Sequence, residues 1–237
     1  MNPRPLDIGR IRAVSLDLDD TLWPVAPVIA HAEQQLQRWL DAHAPATAAL
    51  ARDAAARQQA REQVLRSHPG QRHDLGFVRR ESLRALLLRA GEPAALAEPA
   101  FAAFFAARQQ VRLYDDALPA LARLASRFRL VALSNGNADV HRVGLGTHFH
   151  AALGAAALGF GKPDPRSFAA AAQAAGVAPH ALLHVGDDAA LDAAGALASG
   201  LQAAWLNRAG TAWPTELGQA PHASVADLLA LCALLGT

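Results

Sequence analysis

The chain of 237 residues has one cysteine, one methionine, one tyrosine and one lysine, and neither sign of charge dominates it. The lone Cys232 excludes an internal disulfide and a zinc site built on cysteines. With 22 Lys plus Arg against 21 Asp plus Glu, the formal net charge is +1, too little for a basic field that could hold a nucleic-acid backbone. No apolar run reaches the roughly 18 residues of a membrane span, and residues 1–10 are too polar for a signal peptide. The expectation is a soluble cytoplasmic protein with neither nucleic acid nor membrane as partner. A composition of 52 % hydrophobic and 18 % charged residues argues against disorder, and the length allows one large domain or a domain carrying an insert.

The scarcity of lysine carries information. The chain has 58 alanines and 21 arginines, yet it keeps Lys162. Where surface cations are written as Arg, a retained Lys suggests a position that wants a compact ammonium rather than a planar fork.

Periodicity divides the chain. Arg12 to Leu18 reads as a buried strand whose tip is loaded with carboxylates. From Pro24 to Val111 the spacing is helical, with stretches near Ala46–Arg66, Asp74–Ala90 and Pro93–Gln110 and no convincing strand. From Asp115 onward helix and strand alternate: strands at Phe128–Leu133, Leu182–Val185 and Gln202–Leu206, helices near Asp164–Ala175 and Ala189–Ser199, and a last helix from Val225 to Leu235. The pattern predicts an α/β fold, a Rossmann-like doubly wound parallel sheet interrupted after its first strand by an all-helical insert. The core is expected at residues 1–23 and 112–237, and the insert at 24–111.

Polar clusters fall just beyond the predicted strand ends, where open α/β sheets bind ligands. They are Asp17-Leu18-Asp19-Asp20-Thr21, Ser134-Asn135, Lys162, and Asp187 with Asp188 and Asp192. In an extended strand Asp17 and Asp19 point to the same side, so two carboxylates are expected to converge. Carboxylates gathered this densely repel one another unless a cation lies between them, and hard oxygen donors favour Mg²⁺.

Taken in order, Asp17-Leu18-Asp19-Asp20-Thr21-Leu22, Ser134, Lys162 and Gly186-Asp187 with Asp192 resemble the four motifs of the haloacid dehalogenase superfamily of phosphohydrolases, and the helical insert resembles that superfamily's first type of cap. The runs around Ser134 and Asp187 look most like its bacterial flavin mononucleotide phosphatases, which also act on a ribitylaminouracil phosphate. The resemblance implies a small phosphorylated metabolite as substrate and assigns roles. Asp17 would attack phosphorus and become an aspartyl phosphate; Asp19 would protonate the leaving alkoxide and later deprotonate water. Asp17, Asp187 and the Asp19 carbonyl would ligate Mg²⁺. Ser134, Asn135, Lys162 and Thr21 would hold phosphate, and Asp188 and Asp192 would orient groups around the metal and Lys162. Trp23, His73, Arg79, Arg80 and Arg112 are candidate contacts to the rest of the substrate.

Three rivals share parts of this pattern. A dehalogenase on the same fold has no use for an acid at the position of Asp19, whereas a phosphomutase keeps all four motifs. A phosphorylation-switched receiver module clusters similar residues but has no reason to carry a helical insert. A calcium loop is excluded because Val28, the twelfth residue of a loop that begins at Asp17, offers no carboxylate.

Overall fold

The computed structural model describes residues 5–237, so residues 1–4 of the polar leading stretch lie outside the described residues. The chain divides into two compact units, one made of the described part of Met1–Pro24 with Arg112–Thr237, the other of Val25–Val111. Pro24, assigned to the insert from sequence, falls in the first unit.

The second unit is helical: α1 (Val25–His43), α2 (Pro45–Arg52), α3 (Ala54–Ser67), α4 (Leu75–Arg89) and α5 (Ala97–Arg108). Its core sets Leu36, Leu40, Leu83, Leu87 and Phe104 among alanines such as Ala48, Ala60 and Ala100, whose small side chains let helices approach closely. The single helix expected over Ala46–Arg66 is two. Asp53 takes an extended conformation and its carboxylate accepts from Ala55 N, which caps a new helix and breaks the alanine-rich run.

The first unit holds β1 (Ala13–Leu16), β2 (Arg129–Ser134), β3 (Ala151–Gly154), β4 (Leu182–Gly186), β5 (Gln202–Leu206) and β6 (Ala223–Val225), with α6 (Ala117–Arg127), α7 (Ala155–Leu158), α8 (Pro165–Ala175), α9 (Gly195–Ala198) and α10 (Leu228–Leu235). All strand pairings are parallel, in the order β3-β2-β1-β4-β5-β6. Chain direction across the sheet reverses between β1 and β4, the point at which doubly wound folds place their sites. Both of these strands are buried along their whole length, as central strands covered on two faces must be.

Two strands escaped the sequence reading. β3 is Ala-Ala-Leu-Gly and β6 only three residues long, too short and too poor in β-branched residues for a period to be read. The last helix accordingly starts at Leu228 rather than Val225, with the Asp227 carboxylate accepting from Ala230 N. Among the described residues no helix is long and apolar enough to cross a membrane.

One face of the sheet is sealed by α8. Phe168, Ala171, Ala172 and Ala175 pack on Ala13, Val131, Leu133, Leu182 and Ala203, with Ala196 of α9 alongside. Phe168 is fully buried at the centre of this patch. Phe168→Ala is expected to cost about 3–5 kcal/mol; an unchanged Tm would show that this face is not packed as described.

Candidate active site

The register of the sheet sets the site. Leu16 of β1 aligns with Ala132 of β2 and Val185 of β4, so Asp17, Ser134 and Asp187 all emerge within two residues of one level. Asp17 N still donates to Val185 O at 2.9 Å, after which the chain leaves the sheet in a tight loop. Asp20 takes a left-handed conformation, φ 55°, which Asp tolerates better than most residues. Asp20 N donates to Trp23 O at 2.8 Å and Leu22 N to Leu18 O at 2.8 Å.

At the centre lies Lys162. Its Nζ is 2.6 Å from Asp17 Oδ1 and 2.5 Å from Asp192 Oδ1, and its side chain is 3 % exposed. The loop that carries it is clamped by Asn135, whose Oδ1 accepts from Lys162 N at 2.7 Å and whose Nδ2 donates to Lys162 O at 2.8 Å. Gly161 is required beside this clamp, because a Cβ there would stand 2.5 Å from Asn135 Oδ1. Ser134 is buried, and its Oγ accepts from Gly136 N at 3.0 Å.

Asp192 is held by two further groups. It stands in a π-helical turn, Ala189–Ala194, a geometry that recurs at functional sites. Its Oδ2 accepts from Asp188 N at 3.0 Å, and its Oδ1 lies 3.1 Å from His184 Nε2. His184 Nδ1 in turn lies 2.8 Å from Ser15 Oγ. Because a carboxylate accepts, Nε2 carries the proton and Nδ1 takes the Ser15 hydroxyl proton. Gly186 leaves room for all this, since a Cβ there would come within 2.3 Å of the Asp192 carboxylate.

Asp17, Asp187 and Asp192 each offer a carboxylate oxygen, and these oxygens lie within 4.8 Å of one another. Asp19, expected to converge with Asp17, is not part of this group: β1 ends at Leu16, and the loop turns the Asp19 carboxylate to accept from Trp23 Nε1 at 2.9 Å. Thr21 Oγ1 donates to Asp187 Oδ1 at 3.1 Å, so its observed partner is a carboxylate of the last motif. The Asp188 carboxylate caps the π-helical turn by accepting from Ala190 N and Leu191 N, both at 2.8 Å, while its backbone N–H serves Asp192.

A model of haloacid dehalogenase-like hydrolases matches residues 11–200. A phosphatase of Escherichia coli named for 5-amino-6-(5-phospho-D-ribitylamino)uracil, YigB, is 33 % identical over 98 % of both chains. The chain belongs to this family. The hydrolase is also 36 % identical to a phosphoserine phosphatase of Thermus thermophilus, over 65 % of this chain and 63 % of that one. A solved structure from Pseudomonas syringae pv. tomato, described as a 2-haloacid dehalogenase, shares 38 % identity and a TM-score of 0.91 over 95 % of this chain and 98 % of its own. Two of these relatives are named as phosphatases, one of them matching along the whole chain.

Electrostatics in this hydrolase separate its carboxylates. Burial pushes the Asp17 carboxyl well above the usual range, and the Lys162 ammonium only partly pulls it back. Burial also opposes ionisation of Asp192, but Lys162 and His184 overcome it and hold this carboxyl below the usual range. Burial and the neighbouring Asp192 push Asp187 up to about 6. Burial alone would discharge Lys162, yet Asp17 and Asp192 more than reverse that and keep it an ammonium. Burial lowers the His184 imidazole, so it stands neutral.

The candidate substrate contacts are differently engaged. Arg79 Nη1 is 2.6 Å from Glu33 Oε1 and its guanidinium stacks 3.6 Å from the Phe104 ring centroid, while Arg80 lies over Phe101. Both are occupied within the helical unit. Trp23 is buried on Asp19, His73 is half-buried ahead of α4, and Arg112 is exposed. His184 lies in the core, and its bond to Asp192 has no mark in the sequence, since a His inside an apolar strand carries no sign of what it faces.

Lys162→Arg is expected to lower turnover by about 100-fold, because a guanidinium cannot occupy the pocket between two carboxylates without displacing one. Wild-type rates would show that only the charge matters there.

Proposed function

We propose that the enzyme hydrolyses phosphomonoesters with Asp17 as nucleophile and Mg²⁺ as cofactor. An Asp17 oxygen forms a bond to phosphorus as the bond to the ester oxygen breaks, and Asp19 gives its proton to the departing alkoxide. Asp19 then takes a proton from water as that water attacks phosphorus, which frees inorganic phosphate and restores the Asp17 carboxylate. Ser134 Oγ and Asn135 N–H are proposed to hold the phosphoryl oxygens that do not transfer, and Lys162 to span nucleophile and phosphate.

The observation that carries this reading is the charge at the centre. Three carboxylates meet and one ammonium answers them, which leaves a deficit of two positive charges whenever all three are ionised. Hard oxygen donors with that deficit fit a divalent cation, held by Asp17 and Asp187 with the Asp19 carbonyl. Such an ion supplies Lewis-acid stabilisation of phosphoryl charge. Asp192 is drawn instead to Lys162, whose ammonium it shares with Asp17. Asp17→Asn is expected to abolish phosphate release while leaving Tm close to wild type; retention of more than a few per cent would end the nucleophile assignment.

The substrate we propose is a ribityl phosphate, either the ribitylaminouracil phosphate or flavin mononucleotide. Support comes from the full-length relative named for the former. A second reading, dehalogenation, is favoured by the similarity to the structure from Pseudomonas syringae. Against it stands Asp19, because a departing halide needs no proton. One panel separates them: kcat/KM for ribityl phosphates, phosphoserine and sugar phosphates with and without Mg²⁺, beside halide release from 2-chloropropionate. Cation-dependent phosphate release with a ribityl phosphate leading is the expected result, and cation-independent halide release as the dominant activity would replace it.

The raised Asp187 carboxyl gives this reading a pH signature. Protons compete with the cation at Asp187 and also at Asp17, whose carboxyl is raised further, so affinity is still climbing at pH 7, falls as the pH drops, and falls more steeply below about 6 as Asp187 takes its proton too. Calorimetric Mg²⁺ titrations between pH 5 and pH 8 check this; a flat profile would remove Asp187 from the cation's ligands.

A further inference from the structure

The loop after β5 carries none of the four motifs, yet two of its side chains reach two of them. Trp205, next to last in β5, donates from Nε1 to the Asp187 carbonyl at 2.7 Å. Arg208, three residues on, donates from Nη2 to the Thr21 carbonyl at 2.9 Å. Thr21 Oγ1 donates to Asp187 Oδ1 at 3.1 Å. These bonds close a ring: Trp205 to Asp187, Asp187 to Thr21, Thr21 to Arg208, and three residues of backbone back to Trp205.

We propose that this ring is a positioning device for the divalent cation, in which Trp205 and Arg208 fix the place of Asp187 and so set how tightly the cation is held. The inference rests on the reading of Asp187 as a cation ligand.

Asp187 needs such restraint. It sits in the turn after β4 under repulsion from Asp192 and Asp20, which would drive a loosely held carboxylate outward. The ring holds it at two points, the backbone carbonyl through Trp205 and the side chain through Thr21. Arg208 is itself fixed: its guanidinium lies 3.9 Å from the Tyr114 ring centroid, and Nη2 also donates to Asp116 Oδ2 at 3.0 Å. That same carboxylate oxygen accepts from Leu228 N at 2.7 Å, which ties the clamp to the start of α10. Trp205 is likewise braced, its ring meeting Trp213 edge to face at 5.4 Å. The ring therefore links the loops that hold Asp17 and Asp187 to rigid parts of the sheet and its helices.

Charge and position make opposite predictions for Arg208. If it acted only as a nearby positive charge, Arg208→Gln would strengthen cation binding. If it positions the Thr21 loop, the same change weakens binding. Partners that orient metal ligands are worth about 10–100-fold in affinity. Calorimetric titration of the full-length enzyme with Mg²⁺ is expected to show Kd raised at least about tenfold in Arg208→Gln. Trp205→Phe, which keeps an aromatic ring and loses only the indole N–H, is expected to do the same. Arg208→Lys, which can still donate to the Thr21 carbonyl, should recover part of the loss. A ring opened once is not opened again, so the double variant should bind little worse than either single one. At saturating Mg²⁺, kcat should return to within a few-fold of wild type.

Wild-type or tighter binding in both single variants would overturn the proposal, as would losses that follow a fall in Tm rather than the cation. Asp187→Asn separates this from the underlying reading. If that variant binds Mg²⁺ like wild type, both fall; if it alone loses binding while Arg208→Gln and Trp205→Phe keep it, only the ring is refuted.

Discussion

One ammonium shared by two buried carboxylates is the constraint on which the site depends. Lys162 lies out of water between Asp17 and Asp192, and a charge so placed is tolerable only when paired. Each neighbour then has a reason. His184 and the Asp188 N–H take up the lone pairs of Asp192 that Lys162 leaves, Asn135 fixes the backbone that delivers the ammonium, and Gly161 and Gly186 are bare because a Cβ would strike Asn135 or Asp192. The two carboxylates thereby cease to be equivalent. Asp192, with three donors on its two oxygens, is held ionised as a counter-ion, whereas Asp17 keeps fewer partners and a raised affinity for protons.

The sheet converts this local arrangement into a site. Parallel strands present their carboxyl ends at one edge, and the β1–β2 and β1–β4 registers bring Asp17, Ser134 and Asp187 to nearly one level although they are far apart in sequence. Lys162 and Asp192 arrive from the loop before α8 and from the π-helical turn before α9, the two helices that cover one face with Phe168 and Ala196. Packing on that face and charge at the sheet edge are therefore coupled. A Cβ at Gly195, at the start of α9, would stand only 3.0 Å from Phe168 and Pro163, so the turn that carries Asp192 is seated directly on the helix that follows Lys162.

Much of this was legible in the sequence, and the failures have physical causes. The α/β order, the helical insert and the placing of Asp17, Ser134 and Asp187 just beyond strand ends follow from apolar periods and from residue types that are costly to bury without partners. The short β3 and β6 were invisible because a three- or four-residue strand contains hardly one period. The convergence expected of Asp17 and Asp19 assumed a strand that ran two residues further than it does; left-handed Asp20 turned Asp19 toward Trp23. Arg208 and Trp205 gave no signal at all. Their acceptors are main-chain carbonyls of Thr21 and Asp187, and a carbonyl carries no residue identity for a pattern to register.

Close similarity to a structure described as a dehalogenase shows how little the fold decides about chemistry, since the backbone that aims Asp17 serves either reaction. The difference lies in charge. A 2-haloacid is an anion that must approach an aspartate with no proton to receive and no ion to lean on, so such a site has to be rich in cationic or neutral donors. Here Asp17 stands among further carboxylates, with a single ammonium already divided between it and Asp192. A centre of that kind repels a carboxylate substrate and also repels a phosphate dianion, until a divalent ion enters. On the proposed reading, a divalent ion would let the phosphate gain from the same charge that otherwise excludes it, and Asp19 would supply the proton that the leaving alkoxide needs. On that reading the surplus of negative charge would couple the cation to a phosphorylated substrate, a coupling that a dehalogenase built on the same strands would not need.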